Sequence, residues 1–262
     1  IACGDYDNDG DLDIYVTHYY MQHNTLWENQ GDIGFMDVTR RVGLSLPSMR
    51  QLCWGTHFMD YDNDGWLDLY VAAGHINSKP GTPYEMPNQL MRNKGRAGKL
   101  VQFEDVSAYA GPHFENRHVT RGSALADYDR DGDLDVAAVN YHVASEVVRN
   151  DTTGPYNAIG LRFVGLQSNR NGIGTRVWLT LQDEQGGQRR LMRELHSGGS
   201  FASSDLHELL IGIGTAEKVD LLEVRWPSGQ RQKFLDLAAG RYWTLREGAT
   251  HPRSEPFRRS ER

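Results

Sequence analysis

The 262-residue chain has only two cysteines, Cys3 and Cys53. A disulfide-stapled scaffold is therefore excluded, and two buried thiols are expected rather than a bridge. No apolar run approaches the roughly 18 residues that a membrane-spanning helix requires. The G-x-S-x-G turn that would mark a nucleophile elbow is missing. Long stretches of helical periodicity are missing too, because 28 glycines interrupt the chain. The first residue is Ile, and no leader pattern precedes it, which carries no information about compartment. Positive charge is scarce in the first half. Residues 1–150 carry a net charge of −10 and residues 151–262 a net charge of +3. A value of +3 falls well short of a nucleic-acid footprint, so nucleic acid is not an expected partner.

The acidity is concentrated rather than spread. IACGDYDNDGDLDIYV opens the chain, MDYDNDGWLDLYV recurs around Asp60, and ADYDRDGDLDVAAV recurs around Asp127. Further columns align behind each cluster: NTLWEN, NQLMRN and SEVVRN, then FMDVT and FEDVS in the first two units. Self-similarity at this period marks an array of supersecondary units, each too small to bury a core alone. Within a unit, short β-branched and aromatic runs alternate with turn residues. Four short strands per unit is the makeup of a propeller blade. The expected fold is all-β: a partial β-propeller of two to three four-stranded blades over residues 1–150, then a small β-sandwich.

Each cluster reads D-x-D-x-D-G-x-x-D. The residues are Asp5, Asp7, Asp9, Gly10 and Asp13; Asp60, Asp62, Asp64, Gly65 and Asp68; and Asp127, Asp129, Asp131, Gly132 and Asp135. Alternate carboxylates in a tight loop converge on one point, and the glycine permits the turn. The seventh position, Asp11, Trp66 or Asp133, offers a carbonyl. An all-oxygen donor set of this kind favours Ca²⁺. An EF-hand is excluded, because its position-12 glutamate is replaced by Val16, Val71 and Ala138 and a strand follows instead of a helix. An Asp-Gly hairpin turn with incidental acidity is the simpler account of one copy, and threefold repetition argues against it.

From Ala158 onward, GLRFVGLQ, GTRVWLTL, RRLMREL, VDLLEVRWP, QKFLDL and RYWTLRE read as strands separated by SNRNG, DEQGG, HSGGS, PSG and AAG. Six or more strands in about ninety residues suggest a β-sandwich over 157–248. Trp226-Pro227-Ser228-Gly229 reads as a strand ending in a turn. Ser197, Ser200, Ser203 and Ser204, with His196 and His207 nearby, read as a flexible polar loop. The tail HPRSEPFRRSER, within 249–262, is expected to be disordered.

The first half resembles FG-GAP/VCBS repeats, the Ca²⁺-bearing blades of integrin α-chain propellers. The resemblance rests on the Asp loop, the N-x-L-x-x-N segment and the F-x-D-V strand. The second half, on SNRNGIGTRV, RELHSGGSFASSDLH, GIGTAEKVD and VRWPSG, resembles the ASPIC/UnbV domain of the cartilage acidic protein family. LIGIG at 210–214 departs from that pattern conservatively. The resemblance implies the C-terminal part of a larger propeller, Ca²⁺ as the cofactor, and an extracellular, cell-surface or periplasmic protein that binds protein or carbohydrate ligands. The alternative is an enzyme or biosynthesis accessory protein acting on carbohydrate or natural-product substrates, although no catalytic constellation is identified. In either reading the ligand face is the one opposite the Asp loops. His75 and His142 occupy equivalent repeat positions there, and His118 lies nearby.

Overall fold

A computed structural model of the chain describes residues 1–97, 100–182 and 186–258. Residues 1–150 form three consecutive small antiparallel sheets. The first blade contains β1 (Ala2–Gly4), β2 (Asp13–Val16), β3 (Thr25–Asn29) and β4 (Phe35–Asp37). The second contains β5 (Cys53–Met59), β6 (Asp68–Ala73), β7 (Gln89–Ala97) and β8 (Leu100–Asp105). Among the described residues the third contains β9 (Thr120–Ala126), β10 (Asp135–Asn140) and β11 (Glu146–Val148), with β11 at one edge. In every blade the strands are ordered as they occur in the chain.

The alternation along each strand sends one set of side chains to each neighbouring blade. Tyr6, Tyr15, Leu26 and Val38 of the first blade pack with Leu69, Met91, Val101 and Phe103 of the second. Tyr70, Leu90 and Phe114 pack with Leu125 and Val136 of the third. β6 lies between both cores, and all six of its residues are buried. That explains why DLYVAA reads as a continuous apolar run after its aspartate, not as an alternating one. The short helices α1 (Ser45–Ser48) and α2 (Pro112–Glu115) lie in the connections between blades.

The second half is a sandwich of two four-stranded sheets. β12 (Asn157–Val164), β15 (Glu208–Gly214), β18 (Arg241–Arg246) and β19 (Arg253–Pro256) form one, in the order β15-β12-β18-β19. β13 (Arg176–Gln182), β14 (Gln188–Glu194), β16 (Lys218–Arg225) and β17 (Arg231–Ala238) form the other, in the order β14-β13-β16-β17. Only the β12–β18 pair is parallel among these strands. A single core that includes Ile159, Leu179, Leu222, Trp226 and Leu245 fills the space between the sheets. Trp226 is 1% exposed, and the Pro227–Ser228 turn that follows carries the structural role expected of it.

Three expectations need correction. The tail is not disordered through its described part: Arg253–Pro256 pairs with β18, and Phe257 packs against Tyr242 with ring centroids 5.1 Å apart. The remainder of the expected disordered tail, 259–262, lies outside the described residues. The two thiols are both free, but only Cys53 is buried, and Cys3 is exposed. The serine-rich segment after His196 is docked against the blades, as described below.

Candidate metal centres

Each Asp loop connects the first two strands of a blade, and the three copies share their geometry. The glycine has φ of 99°, 86° and 97° at Gly10, Gly65 and Gly132. This is the left-handed region that glycine enters without a Cβ penalty. Two residues earlier, Asn8, Asn63 and Arg130 also have positive φ. The first aspartate of each loop accepts the glycine N–H, at 3.2 Å for Asp5, 2.8 Å for Asp60 and 3.0 Å for Asp127. The last aspartate of each loop bridges the blade. Asp13, Asp68 and Asp135 accept the N–H of Tyr6, Tyr61 and Tyr128 on Oδ2. On Oδ1 they accept the N–H of Asn29, Asn93 and Asn150, at 2.7–2.8 Å. Those three asparagines end the NTLWEN, NQLMRN and SEVVRN segments, and their amides return to backbone carbonyls of the loops, Leu12, Leu67 and Tyr61 among them. The repeated sequence columns are thus one hydrogen-bonded unit.

Three of the expected ligands converge in each loop. Oxygens of Asp5, Asp7 and Asp13 lie within 4.8 Å of one another, as do those of Asp60, Asp62 and Asp68 and those of Asp127, Asp129 and Asp135. Asp9, Asp64 and Asp131 are not gathered into the triads. Each closes a turn instead, accepting the N–H of Asp11, Trp66 or Asp133 at 2.8–3.0 Å. Burial raises these carboxyls: Asp5 to about 7, Asp13 to about 8 and Asp135 to about 7, with Asp60 and Asp68 well above the usual range. Repulsion from Asp64 adds to the rise of Asp60. Oδ1 of Asp60 and Oδ1 of Asp62 are buried with no hydrogen-bond partner. A divalent cation would supply that partner, and the all-oxygen donor set fits a hard one.

Neighbouring loops are joined to each other. Asn8 donates to the Gly65 carbonyl at 3.2 Å, and Asn63 donates to Asp133 Oδ1 at 2.7 Å. The sandwich covers the same end of the blades. Arg193 of β14 is 8% exposed and lies between the first two loops. It donates to Asn8 Oδ1 at 3.2 Å and to the Gly65 carbonyl at 3.1 Å. Arg189 donates to the Asp64 carbonyl at 2.8 Å, with its guanidinium 5.0 Å from the Trp66 ring. At the third loop, the Tyr242 hydroxyl donates to Asp127 Oδ2 at 2.5 Å, and Arg130 pairs with Glu208. These cross-domain partners lie more than a hundred residues from the loops in most cases, and no local pattern announces them.

The segment 197–206 forms a strap along the inner strands. Leu206 N–H donates to the Leu125 carbonyl, and Asp205 Oδ1 accepts the Leu125 N–H at 2.8 Å. Phe201 packs on Trp54 at 5.0 Å, and Ser203 donates to the Ser123 carbonyl at 2.5 Å. Gly55 and Gly122 permit this approach, since a Cβ at Gly55 would lie 2.5 Å from Ser200 Oγ and one at Gly122 2.9 Å from the Phe201 carbonyl. Under the strap, His57 Nε2 lies 2.9 Å from both the hydroxyl and the carbonyl of Ser123, and its Nδ1 lies 3.3 Å from Asp205. The connectivity is that of a Ser-His-Asp triad. Ser123, however, is completely buried, and its hydroxyl also meets Ser200. The arrangement holds the strap in place and leaves no approach for a substrate at Ser123.

The histidines proposed from repeat position do not form one surface. His75 is 3% exposed, bonded to the Asn77 carbonyl and packed under Tyr19 and Tyr20. His142 is exposed, in the left-handed region, against Tyr141. The two sequence positions are equivalent, but the long 74–88 connection folds over only one of them. His118 and buried His113 both approach Glu146, at 3.5 and 2.8 Å. Among the described residues, the groups of three or more metal-competent side chains are the three aspartate triads.

Comparison with known proteins gives a family match in each half of the chain. No curated protein matches the chain. Among solved structures, that of a "putative cell adhesion protein" from Bacteroides ovatus covers 91% of this chain and 80% of its own, at 12% identity and a TM-score of 0.23. At that score the likeness carries no argument. Residues 5–71 match the family described as FG-GAP-like repeat, and residues 165–252 match the family described as ASPIC and UnbV. The third loop lies outside both matches, yet repeats the geometry of the first two. The chain is thus an FG-GAP-like repeat array followed by an ASPIC/UnbV domain.

Proposed function

We propose that the protein is a calcium-stabilised extracellular recognition or scaffold protein. The observation that carries this reading is the threefold aspartate triad, with buried carboxylate oxygens of Asp60 and Asp62 that lack any partner. Metal-free, each loop holds like charges in a poorly solvated place, and Ca²⁺ relieves that repulsion. Loops of this class bind at the millimolar levels found outside cells. The register pairs Met59 with Asp68 at the loop end of the second blade and Cys53 with Ala73 at the other end. The connections at that second end expose Tyr19, Met21, Leu46, Ile76, Tyr141 and Val143. Apolar and aromatic groups on long loops over a rigid scaffold suit a protein or glycan ligand. Metal analysis and calorimetric titration test the calcium reading. Three bound ions per chain are expected, and fewer than two at millimolar Ca²⁺ overturn it. A glycan or protein ligand whose binding survives multiple substitutions of those six residues overturns the placement of the recognition face.

A further inference from the structure

One cation of the sandwich is buried between two candidate metal sites. Arg193 of β14 is 8% exposed, and its three hydrogen-bond acceptors, Asn8 Oδ1 and the carbonyls of Gly65 and Met192, are all neutral. A buried guanidinium with neutral partners needs negative charge close by. The first two loops supply it: burial pulls the Arg193 guanidinium down, and Asp5 and Asp60 hold it up. Two other arginines reach the same loops, and they differ from Arg193. Arg96 pairs with Asp7 at 3.0 Å and Arg92 with Asp62 at 2.8 Å. Both belong to the second blade, with side chains 44% and 40% exposed, so each can swing into water when an ion arrives. Arg193 is enclosed and has no such route while the sandwich is docked. The third loop is arranged otherwise. There Arg130 is already paired with Glu208, and the sandwich reaches Asp127 through the uncharged hydroxyl of Tyr242.

We propose, on the calcium reading above, that Arg193 sets calcium occupancy of the first two loops against docking of the sandwich. Each ion adds up to two positive charges beneath a guanidinium held in a poorly solvated joint. The attraction that seats Arg193 then turns to repulsion. The effect is reciprocal: ions that loosen the joint must bind less tightly, by the same factor, while the joint is closed. Calcium therefore tightens the blades and releases the sandwich at its loop end. The third site carries no such penalty and fills first. One backbone hydrogen bond crosses the joint at this end, from the Gly214 N–H to the Asn63 carbonyl at 3.0 Å, and its amide reports the opening directly.

Amide exchange and calorimetric titration of the intact chain, in chelator and in Ca²⁺, test this. Calcium should slow exchange at Gly10 and Gly65, whose N–H groups donate to Asp5 and Asp60. It should quicken exchange at Gly214 by about tenfold. Titration should resolve one tighter site and two weaker ones. Arg193→Met should tighten the two weaker sites about tenfold and leave the third unchanged. Arg193→Lys, which keeps the charge and loses the paired hydrogen bonds, should leave them weak. Slowing of Gly214 together with the loop glycines overturns the antagonism, as does an Arg193→Met chain with unaltered affinities; in both cases the calcium reading stands. A lysine variant that tightens the sites as methionine does overturns the role of charge. A chain that binds no Ca²⁺ overturns both readings.

Discussion

Tyr242, in the parallel pair of the sandwich, donates its hydroxyl proton to Asp127, the first aspartate of the third loop, across 115 positions of sequence. A residue of one domain thus shares a carboxylate with the candidate metal site of the other. The Tyr242→Phe variant should lose about 1.5–3 kcal/mol of stability, the usual range for a hydrogen bond to a charged group. It should leave the first two sites intact. Calcium titration checks this, and a uniform weakening of all three sites would contradict it.

The raised carboxyls make a prediction about pH. An aspartate at about 7 or 8 when folded and about 4 when unfolded binds more protons in the folded state between those values. The stability contributed by Asp5, Asp13 and Asp135 is complete below about pH 4 and is lost as pH rises toward 8. Protein treated with chelator should melt at lower temperature at pH 8 than at pH 5.5, and the gain on adding Ca²⁺ should grow over the same range. A melting temperature in chelator that climbs with pH would refute the assignment.

Glu247 runs in the opposite sense. It is 1% exposed and accepts the N–H groups of Leu166, Gln167 and Ser168 and the hydroxyls of Ser168 and Ser228. These bonds hold its carboxyl down, at about 2. Its stabilising effect is present above the unfolded value of about 4.3 and fades as pH falls toward 2. Glu247→Gln should destabilise the sandwich by about 2–3 kcal/mol at pH 7 and by much less near pH 2.5. Thermal melts at the two pH values measure the difference.

Gly212 marks a close approach between the domains. A Cβ there would lie 2.2 Å from Asp60 Oδ2 and 2.5 Å from the Asn63 backbone. Gly212→Ala should separate the sandwich from the loops while each domain keeps its own fold. Small-angle scattering should show an expanded particle, and the connection near residues 151–156 should be cleaved by protease about tenfold faster or more. An unchanged scattering curve would mean that the loops yield instead.

The blades and loops were legible because each depends on local spacing. Asp5, Asp7 and Asp13 sit on one short loop, and the Asn29 amide that fixes it lies in the same repeat. What could not be read was the contact between halves. Arg193 looked like one basic residue among several interleaved with Gln and Glu, and only packing places it between two acidic loops. The serines at 200 and 203 carry no apolar pattern, and their order comes from the glycines of β5 and β9 that admit them. The tail strand is similar. RSEP has little β-propensity, and it is ordered by the open edge of β18 and by Phe257 on Tyr242. His75 and His142 share a repeat position, but loop length separated their fates.

The short connection between halves has a thermodynamic consequence. Eight residues separate Val148 from Asn157, so the sandwich can never move far from the loops it covers. A tether of that length gives an effective concentration on the order of millimolar. An interface with an intrinsic dissociation constant near 10 µM would then be closed about 99% of the time. The same two halves expressed as separate chains would be mostly apart at the micromolar concentrations of ordinary experiments. Arg193, Arg189 and Tyr242 therefore need supply only modest affinity, and a small change at the loops beneath them is enough to shift how often the joint stands open.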